Sequence, residues 1–250
     1  MERIKGIVLR QVKFGENKQI VDLFTESRGR ISIIASTGAR SMTASQKQGG
    51  SRRRGSAYRL MPLSMVEFDC DIHGQDRLPY PHGITPYYIY CDIQFNPLKS
   101  ALFMFVAEFL QNALKEEGAN PILFKYIQDS LQWLDGTSQP VCNFHIVFLL
   151  QMTRFLGISP NLDGYSPVLF YDLMNTEYRY GQPPHQHFLR PDEAKVLPYI
   201  CNMRQDNSHL YRFTREQRHR ILEVMNDYYR IHLPSFKELK SLDVLREVFD

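Results

Sequence analysis

Two kinds of hydrophobic spacing divide this chain. In the first 70 residues, apolar positions come in short β-branched runs: Ile4-Lys5-Gly6-Ile7-Val8-Leu9-Arg10-Gln11-Val12, Ile20-Val21-Asp22-Leu23-Phe24-Thr25 and Ile31-Ser32-Ile33-Ile34-Ala35. Turn-forming residues separate them at Phe14-Gly15-Glu16-Asn17 and Ser27-Arg28-Gly29-Arg30, so the runs predict three strands. Ala57-Tyr58-Arg59-Leu60 and residues 63–68 predict a fourth, interrupted or begun at Pro62, and Ile72-His73 a short fifth. Short strands at near-regular spacing, with no helical period, predict a small barrel or sandwich.

From about residue 96 the period becomes helical. Leu98, Leu102, Phe105, Phe109 and Leu110 share one face, and Glu116-Glu117-Gly118 closes the segment. Pro121 opens a second helix with Ile122, Tyr126, Ile127, Leu131 and Leu134 facing inward, ended by Asp135-Gly136. Residues 143–157 are apolar nearly all round, which marks a buried central helix. A loop rich in Pro, Tyr and Asn covers residues 160–187. Residues 190–204 and 214–232 predict further helices, the second capped by Thr214 with Glu216 close behind, and 241–249 a short last one. The fold class is α+β: a five-stranded barrel in residues 1–78, then an all-α helical bundle in residues 79–250.

Composition removes several alternatives. Of 250 residues, 43% are hydrophobic and 23% charged, too apolar for a disordered chain. No run approaches the ~18 apolar residues of a membrane span; the most apolar one, 144–158, is broken by Gln151 and Arg154. The opening Met-Glu-Arg-Ile-Lys-Gly has no apolar signal core, so no export is expected. Cys70, Cys91, Cys142 and Cys201 form no C-x-x-C pair, which fits reduced thiols in a cytosolic protein.

Charge changes the picture more. The net +3 divides into +7 over residues 1–70, with 13 Lys and Arg against 6 Asp and Glu, and −4 over the rest. Arg28, Arg30, Arg40, Lys47, Arg52, Arg53, Arg54 and Arg59 follow one another with no acidic residue between Arg28 and Arg59. Residues 36–56 hold few large apolar side chains and predict a mobile loop joining two strands. Such cations neutralise phosphates and release counterions, giving affinity for nucleic acid without sequence preference. The plainer reading is a solvated surface loop.

These residues resemble the RecO family of bacterial recombination mediators. The likeness is carried by Ile7-Val8-Leu9, by residues 20–25 followed by Gly29-Arg30, by Gly38-Ala39-Arg40-Ser41 and by Tyr58-Arg59-Leu60-Met61-Pro62-Leu63. Downstream it continues in Asn96-Pro97, Lys99-Ser100, Phe105, Glu108 and Leu110. It ends in Tyr228-Tyr229, His232 and Lys240-Ser241-Leu242-Asp243-Val244-Leu245. The resemblance implies an OB-fold barrel followed by a helical domain, and a cytoplasmic, nucleoid-associated protein without cofactor or catalytic residues. It also implies binding of single- and double-stranded DNA, strand annealing, and loading of RecA with RecR onto SSB-coated strands. Phe14, Phe24 and Tyr58 are then available to stack on bases; the plainer reading is barrel core, favoured for Phe24. The SSB C-terminal tail is expected on the helical domain, at an apolar pocket rimmed by cations; Arg212, Arg215, Arg218 and Arg220 form a local basic cluster suited to that role, or equally an ordinary solvated helix face.

Two departures stand out. Many members carry a four-cysteine zinc site, but residues 160–187 hold no cysteine, so no structural zinc is expected; Tyr165, Phe170, Tyr171, Tyr178 and Tyr180 are available to pack in its stead. After Gly38-Ala39-Arg40-Ser41, Met42-Thr43-Ala44 replaces the usual basic residues, and the charge returns at Arg52-Arg53-Arg54. Two other functions compete. One is an OB-fold module for structured RNA. The other is a metal-dependent hydrolase at His185 and His187, with Asp172 and Asp192 nearby, though no H-E-x-x-H or nucleotide-binding motif accompanies the pair.

Overall fold

The computed structural model describes residues 2–36, 60–71, 78–115 and 117–248. They pack as two compact units, residues 1–89 with 114–128 and residues 90–113 with 129–250.

The first unit is built on β1 (Glu2–Lys13), β2 (Lys18–Thr25), β3 (Gly29–Ser36), β4 (Met65–Cys70) and β5 (His82–Tyr88). All neighbours are antiparallel, in the order β3-β2-β1-β4-β5. The Ile34 N–H donates to the Pro79 carbonyl at 3.0 Å, tying the β3 edge to the approach to β5. The sheet thereby closes as an OB-fold barrel, as the resemblance implies. Strand alternation fills it: Ile4 and Val8, Val21 and Leu23, Ile33 and Ala35, and Val66, Phe68 and Cys70 make one buried cluster. On the opposite face, Ile7 pairs with Phe24 and Met65, and the Phe24 ring lies 6.2 Å from Phe124.

Irregularities explain where the strand predictions slip. The register of β1 shifts at Leu9, and there the Val8 N–H donates to Ser64 while its carbonyl accepts from Leu63 at 2.6 Å. Leu63 sits at φ 63, in the left-handed region, so the Pro62 turn ends before β4 begins at Met65. The fifth strand expected at Ile72-His73 lies outside the described residues; the observed one is 82–88. Gly83 and Pro86 hide it from pattern reading, and a proline is tolerable on a terminal strand of the sheet. Gly29 is required. At φ 67 it approaches the Gly118 backbone so closely that a Cβ would lie 2.3 Å from the Gly118 carbonyl carbon, and the next N–H, of Arg30, donates to Glu117.

The helices are α1 (Pro97–Ala113), α2 (Pro121–Gly136), α3 (Phe144–Phe155), α4 (Pro191–Ala194), α5 (Leu197–Cys201), α6 (Arg215–His232) and α7 (Ser241–Val248). The division between units falls inside α2, after Gln128. In the second unit α3 is the core helix, buried from Phe144 to Leu150. Phe109 of α1 packs edge-on to Phe148 and Tyr229, with ring centroids 6.0 and 4.9 Å away. Ile122, expected inward, is 74% exposed. The loop expected at 160–187 contains β6 (Phe170–Asp172) and β7 (Glu177–Arg179), which join β8 (Phe188–Leu189) just past its end in a small sheet of order β7-β6-β8. The helix expected over 190–204 is two, because Pro198 lacks the N–H a continuous helix would need there.

The family-like motifs prove to be tertiary ties. Asn96 caps α1, accepting from the Leu98 and Lys99 N–H groups, with Pro97 in the first turn. The buried Lys99 ammonium donates to the Asp135 and Thr137 carbonyls at 2.9 and 2.7 Å and pairs with Asp92, a cation at the α2 C-terminus. The Asp135 carboxylate accepts from the backbone N–H groups of Cys91, Asp92 and Ile93. Glu108 accepts from the Lys240 and Ser241 N–H groups at 3.0 and 2.8 Å, capping α7 from α1. Among the described residues, no helix is long and apolar enough to cross a membrane.

Candidate nucleic-acid interface

The barrel surface is where sequence charge and exposed aromatics meet. Of the eight barrel cations singled out, Arg40, Lys47, Arg52, Arg53, Arg54 and Arg59 lie outside the described residues, as does Tyr58. Arg28 stands at the β2–β3 turn, where its guanidinium pairs with Glu2 at 2.5 Å. Thr25 shapes that turn, donating to the Gly29 carbonyl and accepting from the Arg28 N–H. Arg30 is drawn onto the sheet. Its guanidinium reaches Asp22 at 3.2 Å and the Leu114 carbonyl, and its side chain is only 19% exposed. Asp22 also accepts from Ser32 at 2.6 Å and pairs with Arg10 at 3.3 Å. Arg30 is thus largely neutralised, and Arg28 in part.

A cluster at one end of the barrel joins the stacking candidate Phe14 to two residues that carry no motif, Lys18 and Tyr80. Phe14, at the β1–β2 turn, is 51% exposed, and Tyr80, just before β5, is 54% exposed. The Lys18 ammonium donates to the Tyr80 hydroxyl at 3.2 Å and stands 5.3 Å from the ring centroid. The Phe14 N–H donates to the Lys18 carbonyl, and Lys18 pairs in register with Ser36. Ser36 is the residue from which the basic 37–59 connection departs. Two accessible rings and an ammonium therefore flank the root of that connection, groups suited to stack on bases and to meet phosphates. Phe24, also considered for stacking, is fully buried core. The sequence signal for Tyr80 was slight, a tyrosine between Pro79 and Pro81 outside any recognised strand.

The second unit separates its own candidates. Arg212 and Arg215 are exposed. Arg218 donates to the Phe213 carbonyl at 2.8 Å, and Arg220 is bound to Glu193 at 2.6 Å. Around the small sheet, Tyr178 packs edge-on to both Tyr165 and Tyr171, and Phe170 packs on Phe188. Tyr180 is 86% exposed, outside that packing.

Asp172, the last residue of β6, is fully buried. It accepts from the Met174 and Asn175 N–H groups, the Asn175 side chain and His185 Nε2 at 3.3 Å. Burial pushes its carboxyl up, but the Asn175 and Met174 donors outweigh this and hold it below the usual carboxylate range. The His185 and His187 rings are 6.3 Å apart. Among the described residues, no three His, Cys, Asp or Glu side chains are grouped to hold a metal ion.

Known proteins give this geometry a context. The model of the recombination protein O N-terminal region matches residues 1–80, and that of the recombination protein O C-terminal region residues 94–243. A DNA repair protein RecO of Phocaeicola vulgatus is 38% identical over 252 residues, covering 100% of this chain and 99% of the relative. One from Bacteroides fragilis is 38% identical over the full length of both chains. One from Porphyromonas gingivalis is 29% identical over 98% of each.

Proposed function

The chain belongs to the RecO family of DNA repair and recombination proteins, and from that membership we propose that it is a non-catalytic recombination mediator of the cytoplasm and nucleoid. It binds single- and double-stranded DNA through the barrel, anneals complementary strands, and with RecR loads RecA onto SSB-coated DNA. The observation that carries this reading is the Phe14, Lys18 and Tyr80 cluster at the root of a connection bearing Arg40, Lys47, Arg52, Arg53, Arg54 and Arg59. Cations there track the phosphates without reading sequence, and the rings stack on any base. Both interactions suit a protein that must accept arbitrary strands.

The test is salt-dependent binding of single-stranded DNA followed by annealing of SSB-coated oligomers. Replacing Arg52, Arg53 and Arg54 by Ala removes about three phosphate contacts and flattens the log–log salt slope by about 2. Tyr80→Ala weakens binding about tenfold and leaves the slope in place, because stacking releases few counterions. A triple variant with unchanged slope and affinity removes the connection from the interface. Matched RNA oligomers that outcompete DNA redirect the function to RNA, which alone presents a 2′-hydroxyl. In the second unit, the acidic SSB tail is assigned to the exposed Arg212 and Arg215, since Arg218 and Arg220 are already engaged. Arg212→Ala with Arg215→Ala is expected to weaken tail binding and spare DNA binding.

A further inference from the structure

The second unit carries an open apolar cleft of about 370 Å³ between the α4–α5 segment and the first half of α6. Val196, Leu197 and Ile200 form one wall; Phe213, Ile221 and Val224 form the other. The cleft is within the size range of ligand sites, yet it lacks the converging polar groups that orient a small molecule.

Its rim is acidic. Asp192, Glu193 and Glu216 stand there against a single cation, Arg220, which Glu193 already holds at 2.6 Å. Asp192 and Glu216 are both exposed; Arg215 lies near enough to Glu216 to favour its charged form, which leaves one carboxylate in excess. Glu216 stays charged: its own backbone N–H and the Thr214 hydroxyl keep its carboxyl below the usual carboxylate range. Beyond Phe213 the surface continues as aromatic rings. Tyr199 is 51% exposed and lies 4.5 Å from Tyr211 between centroids, and Phe213 is 6.4 Å from both. Aromatic faces attract cations and supply much of the energy at protein interfaces.

We propose that this cleft docks an apolar protein segment flanked by Lys or Arg. An acidic segment is repelled by the same rim, so the partner differs in kind from the SSB tail. The cleft runs along about three turns of α6, enough for a short amphipathic helix laid in a groove. The proposal is independent of DNA binding by the barrel.

Two fluorescent amphipathic peptides of about 14 residues test it by anisotropy with the full chain, one of Leu and Lys, the other with every Lys replaced by Glu. The Lys peptide is expected to bind about tenfold more tightly, less so as salt rises. Asp192→Asn with Glu216→Gln, both at exposed positions, brings the two peptides to near parity, and Ile221→Asp abolishes Lys-peptide binding. Unchanged binding of single-stranded DNA and an unchanged far-UV spectrum certify each variant as folded. A Glu peptide that binds as well as the Lys peptide, a preference that survives the double neutralisation, or no binding of either peptide overturns the proposal.

Discussion

Single side chains in this protein are decided by partners that linear order conceals. Arg30 and Arg52 carry the same charge in the sequence, but strand register sets Arg30 beside Asp22, since Phe24 pairs with Arg30 and Asp22 with Ser32. Charge counting has no direction; pairing supplies it. Tyr80 shows the reverse case, a residue without any pattern that becomes visible once the barrel is closed. His145 is different again, because its apolar helix announced the burial but not the titration. Enclosed in α3 beside Phe105, its imidazole is pushed down to about 3 by burial, with Arg218 and His219 adding to the effect. The folded state therefore holds it neutral while the unfolded chain takes up a proton below about pH 6.5. Its contribution to stability is complete above that pH and is lost as pH falls, by about 1.4 kcal/mol per unit. The carboxyls of Glu2 and Glu67, held low by Arg28 and Arg3, act only below about 4.5. Melting temperatures measured from pH 7 to pH 5 are expected to drop for the wild type and to stay nearly flat for His145→Leu.

Among the elements, those with long periodic patterns were legible and those with short or interrupted ones were not. The strands β1, β2 and β3 and the helices α1, α3, α6 and α7 follow their hydrophobic spacing to within a few residues. The strands β6, β7 and β8 are two or three residues long, too short for alternation to register. Caps were half visible. Thr214 was identified, but its reciprocal partner is Gln217, each side chain bonding the other's backbone N–H. The cap on α7 was invisible, because its acceptor Glu108 sits on α1 more than a hundred residues earlier. Glu108→Ala leaves two N–H groups at the α7 N-terminus without that carboxylate, at a cost of about 1–2 kcal/mol. Urea unfolding and faster amide exchange over residues 241–244 are the readouts; equal midpoints for variant and wild type contradict the cap.

At the scale of the whole molecule, the sequence showed two architectures and a charge split, +7 over residues 1–70 and −4 over residues 71–250. It did not show that the barrel unit takes back residues 114–128, because pairing between distant segments leaves no local period. Residues 160–187 hold no cysteine, so other contacts order them. Here the Asp172 carboxylate gathers donors from the β6–β7 turn and His185, and Tyr171 packs edge-on to Tyr178. These hydrogen bonds need no metal, so the segment is expected to hold its structure without one. Incubation with EDTA is expected to leave the melting temperature unchanged, and a fall of several degrees, reversed by zinc, contradicts this. The chain's order of synthesis adds a constraint of its own. Segments leave the ribosome in sequence, so α1 emerges before residues 114–128 can complete the barrel. Glu108 then waits for residues 240 and 241 before it has anything to cap. During that interval Phe109 of α1 can already pack on Phe148 and Tyr229, while the side of α1 that meets α7 still lacks its neighbour.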